Sequence, residues 1–348
     1  MSGGREEAGR RERPGAGHAA VLGAGSWGTA LALHLARSGR QTILWARSER
    51  AAEALRGARE NAVYLPGQRF PEALKVTGHL REALRGAGIV LFVVPAQWSR
   101  PIYRAASAHL EPSADLVIAS KGIEEDRLLR LSEVLTQEAG GVAGRRATVL
   151  SGPSFAVEVA RGDPTAVVVA SEDAEAAGRV QSDLSHGNLR VYRNADRIGV
   201  EIAGALKNVV ALATGVAEGL GFGSNTRAAL ITRGMAEITR LGVRLGGRTG
   251  TFAGLAGAGD LILTCTGALS RNRSVGIEVG RGRRLEEVLR GMRMVAEGVA
   301  TTRAAVALAR HHGVDLPIAQ KVHDVMFEAV PARDAVADLL ARPLGEET

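Results

Sequence analysis

The chain has 348 residues, 45% of them hydrophobic and only 3% aromatic, with 44 Lys+Arg against 37 Asp+Glu and a formal net charge of +7. That length has room for two domains and a large buried core. The single cysteine, Cys265, excludes an internal disulfide, and its longest apolar neighbours elsewhere, such as residues 88–95, fall far short of the roughly 20 residues that a membrane span requires.

In chain order, residues 1–17 are polar, glycine-rich and of mixed charge, and are expected to form a disordered tail. Arg10-Arg11 resembles the start of an export signal, but the apolar segment behind it carries a glycine fingerprint that must stay in the fold, so a cytoplasmic protein is expected. That fingerprint is Gly23-Ala24-Gly25-Ser26-Trp27-Gly28, entered by an apolar run and left by an Ala/Leu-rich stretch. Gly23 permits the tight turn, Gly25 lets backbone approach a pyrophosphate, and Gly28 lets helix and strand pack closely. The pyrophosphate would then meet unpaired N–H groups at a helix N-terminus.

Further strands are expected at 41–46, 88–95, 115–120, 148–151 and 165–170, several of them continuous Val/Ile/Leu runs of the kind buried on both faces of a parallel sheet. From Ile198 onward the pattern is helical almost throughout, punctuated by glycine turns. The expectation is an α/β chain: a Rossmann-type, doubly wound, mostly parallel sheet over 18–196, followed by an all-helical domain over 197–348, joined near residues 195–199.

Ligands of such sheets lie beyond the carboxyl ends of the strands. Three ends are unusual here: Pro95, Lys121 directly after a strand, and the small-residue turn Ser151-Gly152-Pro153-Ser154-Phe155-Ala156. The basic residues add a second signal. Only four of the 44 are lysines, Lys75, Lys121, Lys207 and Lys321, so a retained lysine hints at a compact or titratable ammonium that arginine cannot supply. Lys75 and Lys321 have no special setting. Lys207 has small or apolar helical neighbours (Ala203, Gly204, Val210, Ala211), and burial there would draw its pKa from about 10.4 towards about 7–8, where a general base is useful. A lysine snorkelling at a domain interface is the plainer alternative.

Gly257-Ala258-Gly259-Asp260 places a carboxylate after a flexible loop, and Ser270-Arg271-Asn272-Arg273 sets a guanidinium fork beside an amide. The basic runs 281–284 and 290–293 alternate with Glu286 and Glu287 and lack interleaved aromatics, so they read as a solvated helix face and no nucleic-acid partner is expected. Cys265 has no His or second Cys spaced for a metal, and no metal is expected. The second strand ends Leu44-Trp45-Ala46-Arg47-Ser48 without an acid for a ribose 2′-hydroxyl, and Arg47 is placed to meet a 2′-phosphate.

The fingerprint and its following Thr29-Ala30, Tyr64-Leu65-Pro66-Gly67, Ser120-Lys121-Gly122, residues 151–156, Leu206-Lys207-Asn208, 257–261, 270–272 and Val295-Ala296-Glu297-Gly298-Val299 together resemble the bacterial NAD(P)-dependent glycerol-3-phosphate dehydrogenases, over residues 19–330. The resemblance implies reversible interconversion of sn-glycerol 3-phosphate and dihydroxyacetone phosphate for glycerophospholipid synthesis. It implies cofactor contacts at Ser26, Trp27, Arg47, Ser48, Tyr64, Lys121, Ala156, Arg271, Val295 and Glu297, beside Gly23, Gly25 and Gly28. Substrate contacts fall on Lys121, Gly152, Ser154, Lys207, Asp260, Ser270, Arg271 and Asn272, with Lys207, Lys121 and Asp260 as the catalytic group. Expected with them are NADPH as preferred cofactor with NADH accepted, a phosphorylated small-molecule substrate, no membrane insertion and a homodimer. Departures from the family are the Arg-rich tail and a glycine-rich, insertion-like loop over 139–146. Two rival readings are a related two-domain dehydrogenase for another hydroxy acid and a dinucleotide sensor without turnover.

Overall fold

A computed structural model describes residues 17–343 apart from Arg293, so the expected tail lies outside the described residues except for Gly17. The first half is built on an eight-stranded sheet. Its strands are β1 (His18–Leu22), β2 (Thr42–Trp45), β5 (Leu74–Thr77), β6 (Ala87–Phe92), β7 (Asp115–Ile118), β8 (Thr148–Ser151), β9 (Thr165–Ala170) and β10 (Leu189–Asn194), while β3 (Glu60–Asn61) and β4 (Leu65–Arg69) form a small separate hairpin. The order is β10-β9-β8-β7-β6-β1-β2-β5, with every pairing parallel except β8 with β9. Chain order reverses beside β1, which places the fingerprint at the switch point where a crevice opens beyond the strand ends.

Two strands of this sheet were not expected from sequence, β5 and β10. Both lie at its edges, and both alternate with polar residues (Leu-Lys-Val-Thr and Leu-Arg-Val-Tyr-Arg-Asn), so they lack the continuous apolar run of the central strands. The glycine-rich stretch 139–146 is not a loop: Gly141–Arg146 forms a helical turn and a half behind the helix Leu131–Ala139.

The second half contains no strand among the described residues. Its axis is the central helix Arg197–Gly219, whose N-cap Asp196 accepts the Gly199 N–H at 2.8 Å and the Arg248 N–H at 2.7 Å. Every residue from Gly199 to Ala217 is buried, as befits a helix that is apolar all round. This helix is long and apolar enough to cross a membrane, but its apolar stretch lies inside the fold. It packs against the helices Ser224–Arg244, Asp260–Thr266, Arg271–Gly280 and Glu297–His312.

The contact with Arg271–Gly280 is backbone to backbone. A Cβ added at Gly215 or Gly219 would come 2.2 Å from the carbonyls of Arg273 or Ile277, and one at Gly276 or Gly280 would come 2.3 Å from those of Leu212 or Val216. Two Gly-x-x-x-Gly ridges therefore interlock with no side chain between them. The basic run beyond this helix is solvated, as expected, but its partners differ: Arg281 and Arg283 pair with Glu278 at 2.8 and 2.9 Å, Arg284 comes within 4.0 Å of the Glu286 carboxylate, and Arg290 donates to the Glu286 carbonyl at 3.3 Å. The predicted amphipathic helix there is the short segment Leu285–Arg290.

Candidate active site

The fingerprint joins β1 to the helix Ser26–Arg37. Gly23 has φ +125°, a conformation closed to L side chains, and a Cβ there would lie 2.4 Å from the Val93 carbonyl. At Gly28 a Cβ would lie 1.9 Å from the Gly23 carbonyl, whereas at Gly25 it would meet nothing within 4 Å. Gly23 thus makes a turn and Gly28 a close packing that a side chain would obstruct, and the space beside Gly25 is open. No side chain caps the N-terminus of this helix, which leaves its first N–H groups for an anion. The turn is braced from behind, where Asn61 Nδ2 donates to the Ala24 carbonyl at 2.9 Å and to Thr29 Oγ1 at 2.8 Å. Ser26 Oγ donates to the Tyr64 carbonyl at 2.7 Å and contacts Met294 Sδ at 3.3 Å, bringing a loop of the second half over the turn.

Arg47 and Ser48 follow β2, both exposed. Ser48 caps the helix Glu49–Ala58 by accepting the Ala51 N–H. The adjacent acid, Glu49, is already engaged: it accepts from Arg56 and from the Gly78 N–H at 3.0 Å, and the Arg56 guanidinium holds its carboxyl below the ordinary value. Arg47 remains the residue at this strand end that faces solvent without a partner among the described residues. Trp27 is half-buried with its indole Nε1 enclosed and unbonded, and Ala156 opens the helix Ala156–Arg161 on the same crevice edge. Open space at Gly25, an uncapped helix start and a free arginine at the end of β2 fit a dinucleotide.

The two scarce lysines converge. Lys121 Nζ donates to Asp260 Oδ2 at 2.6 Å and to the Gly152 carbonyl at 3.2 Å, while Lys207 donates to Asp260 Oδ1 and, at 2.9 Å, to Thr264 Oγ1. One carboxylate thus bridges two ammonium groups, one from each half of the chain. Asp260 is 1% exposed and Lys207 7%. Burial pushes the Lys207 ammonium down to about 8; the Asp260 charge pulls the other way, and Lys121 adds to the lowering. Burial alone would raise Asp260, but the two ammonium groups outweigh it and hold its carboxyl below the ordinary value.

Asp260 does not follow a flexible loop. It begins the helix Asp260–Thr266 directly after a π-helical turn, Leu255–Gly259, a distortion that re-aims the side chains around it. Thr264, one turn further on, donates to the Asp260 carbonyl at 2.6 Å and accepts from Lys207. Sequence reasoning passed over this residue; its i+4 spacing from Asp260 was the available signal. Gly152, with φ +131°, turns its carbonyl to Lys121, and Ser154 Oγ donates to the same carbonyl at 2.9 Å.

The segment 270–272 is divided in its employment. Ser270 caps the helix Arg271–Gly280 by accepting the Arg273 N–H, and buried Asn272 donates to Asn208 Oδ1 at 2.9 Å while its own Oδ1 accepts the Gly298 N–H at 2.9 Å. Asn272 is therefore a clasp tying three helices together beside Lys207. Arg271 is exposed and donates to the Val295 carbonyl at 2.9 Å. Glu297, at the start of the helix Glu297–His312, is pushed up to about 7 by burial, against the pull of Arg271. Val295 is exposed on the loop between them. Among the described residues no cluster of His, Cys, Asp and Glu is suited to a metal ion.

A nucleotide-binding turn at the switch point of a parallel sheet, facing a buried Lys–Asp–Lys bridge, defines a two-part NAD(P)-linked dehydrogenase. Family models described as NAD-dependent glycerol-3-phosphate dehydrogenase N-terminus and C-terminus match residues 18–177 and 196–337, and the chain belongs to that family. Proteins named glycerol-3-phosphate dehydrogenase [NAD(P)+] from Geobacter sp. (strain M21) and Moorella thermoacetica (strain ATCC 39073 / JCM 9320) are 51% and 52% identical to it, each over 94% of this chain and 98% and 97% of their own. The crystal structure of glycerol-3-phosphate dehydrogenase from Coxiella burnetii superposes with a TM-score of 0.90 at 39% identity, covering 94% of this chain and 100% of that one. A ketopantoate reductase from Ralstonia eutropha JMP134 shares the fold alone, with a TM-score of 0.61 at 14% identity over 92% of this chain and 99% of its own.

Proposed function

We propose that the chain interconverts sn-glycerol 3-phosphate and dihydroxyacetone phosphate, supplying the backbone for glycerophospholipid synthesis. The observation that carries the chemistry is the Asp260 bridge between Lys121 and Lys207. Residues 18–196 form the cofactor half and 197–348 the substrate half in this reading. Residues 23–28, Arg47, Ser48, Tyr64, Ala156, Val295 and Glu297 would hold the dinucleotide, which supplies hydride transfer when bound.

Lys207 moves the proton. In the oxidising direction its neutral amine accepts the proton of the secondary hydroxyl; in the reducing direction its ammonium returns a proton to the carbonyl oxygen. Asp260 positions both lysines through separate oxygens, and Thr264 fixes a second direction at Lys207 Nζ. Lys121 adds a compact positive charge where oxygen charge develops. Arg271 supplies the guanidinium fork for the substrate's phosphate, with Ser154 and Ser270 as hydroxyl partners; its Nη1 donates to the Val295 carbonyl, which leaves the Nε and Nη2 edge for the phosphate. The buried amide of Asn272 holds the start of the Arg271 helix in place, which leaves its Nδ2 one further donor for substrate.

NADPH is the preferred cofactor and NADH is accepted, because Arg47 is free while Glu49 is engaged elsewhere. The enzyme works as a cytoplasmic homodimer without a metal. Reduction of dihydroxyacetone phosphate, followed at 340 nm with NADH and NADPH in parallel, tests the reading. Turnover with this ketone and not with ketopantoate supports it, and cofactor binding without turnover of either would sink it.

A further inference from the structure

A second concavity lies away from the catalytic crevice. It is a groove of about 930 Å³ in the helical half, between the central helix, the helix Ser224–Arg244 and the C-terminal helices Pro317–Phe327 and Ala332–Leu340. Its walls are aliphatic, with Val216, Leu230, Ile318, Val322, Val336 and Leu339 among them. They include no aromatic ring and no side-chain amide, and Thr226 is their one hydroxyl. A base would find no aromatic stacking surface there. A flexible hydrocarbon chain would find a continuous apolar wall, in a volume within the usual range for small-molecule sites.

The charges at the groove settle the sign of a head group. Asp315 is paired with Arg342, and Lys321 with Asp338 at 2.7 Å. Arg240 donates to the Asp315 carbonyl. The buried Glu237 carboxylate accepts the Ile318 and Ala319 N–H groups at 2.7 and 3.2 Å, which spends it on the start of the helix Pro317–Phe327. Arg233 is left exposed at the groove, with no hydrogen-bond or ion-pair partner among the described residues.

From this arrangement we infer that the groove is a second ligand site, for a single-chain aliphatic amphiphile with an anionic head: a long-chain fatty carboxylate, its chain along the aliphatic wall and its carboxylate on Arg233. The site lies apart from the catalytic bridge. Ala213 and Val216, which line it, follow Lys207 by six and nine residues on the central helix, roughly 9–14 Å along its axis.

The test is calorimetric titration of the full chain, saturated with NADPH, with the C8, C10, C12 and C14 fatty acids below their micelle concentrations. The dissociation constant should fall about fourfold per methylene and then level off once the groove is filled. Arg233→Glu should weaken binding at least tenfold, and Val336→Trp should abolish it, with dihydroxyacetone phosphate turnover unchanged in both. Should Val336→Trp fail to fold, Leu230→Trp fills the same space from the opposite wall. No binding, affinity that climbs with chain length without levelling, or equal binding of the matching alcohol would each overturn the proposal. So would tight association with zwitterionic lipid vesicles that Arg233→Glu leaves intact. A dimer that Val336→Trp dissociates in sedimentation would assign the groove to a second copy of the chain instead.

Discussion

Lys207 is where composition and geometry meet. In a chain that otherwise uses arginine, this lysine is enclosed between Asp260 and Thr264 with its pKa drawn down to about 8. Arginine carries a comparable charge but stays protonated, since its pKa exceeds about 12. Lys207→Arg is therefore expected to lose kcat by about 10²–10⁴-fold, the range for a general acid–base group, with cofactor affinity little changed. The pH dependence has a definite sign. Oxidation needs the neutral amine, so its rate rises with pH through about 8 and then levels. Reduction needs the ammonium, so its rate falls above the same value. Stopped-flow rates in both directions check this, and near-normal kcat in the arginine variant would transfer the role to Lys121. Arg47 makes an independent prediction. Arg47→Ala should raise the NADPH dissociation constant by at least tenfold and that of NADH by less than threefold, about 1.4 kcal/mol being one factor of ten. Fluorescence titration measures both, and equal losses would show that the arginine does not read the 2′-phosphate.

At the scale of elements, the helix pair Arg197–Gly219 and Arg271–Gly280 sets the site, because it places Asn208, Lys207 and Arg271 on one frame. Its glycines allow no addition. Gly276→Val is expected to lower unfolding free energy by about 3 kcal/mol or more, above the usual overpacking cost, because the obstructing atom is backbone and cannot rotate away. Chemical denaturation gives the value, and a loss under 1 kcal/mol would mean that the helices can separate cheaply. How far these elements were legible from sequence follows from how local their signals are. The fingerprint, the apolar strands and the two lysines advertise themselves within a few residues. Edge strands β5 and β10 do not, since their stability comes from a neighbour's hydrogen bonds, Leu74–Thr77 on β2 and Leu189–Asn194 on β9. The same holds for Thr264 and for the Asn208–Asn272 clasp, whose partners stand 57 and 64 residues away. The glycines of the helix pair were present as Gly-x-x-x-Gly spacings, but nothing local tells which helix each ridge meets.

For the whole molecule, the halves are joined by buried charge. Lys121 comes from the sheet and Asp260 from the helices, while Glu201, near the start of the central helix, accepts from Arg130 at 2.9 Å and from the Ser132 hydroxyl and N–H at 2.7 and 2.9 Å. Removing the carboxylate of one such bridge strands its cations. Asp260→Ala is expected to cost about 3–5 kcal/mol of unfolding free energy beside abolishing turnover, the range for breaking a buried pair on one side. Thermal denaturation at pH 7 tests this, and a variant as stable as the parent would mean that water solvates the stranded lysines.

The buried central helix also has a consequence for how the protein is made. It leaves the ribosome as a 23-residue apolar segment while most of what will cover it, up to the helix Glu297–His312, is still unsynthesised. During that interval, of about 5–20 s at common elongation rates, the nascent chain carries a sticky surface with no native partner. Chains stalled near residue 255 should accordingly bind chaperones or sediment with aggregates, whereas the released full-length chain should not. Crosslinking of stalled ribosomes would measure the difference, and a clean, unbound intermediate at residue 255 would mean that the sheet half shelters the helix first.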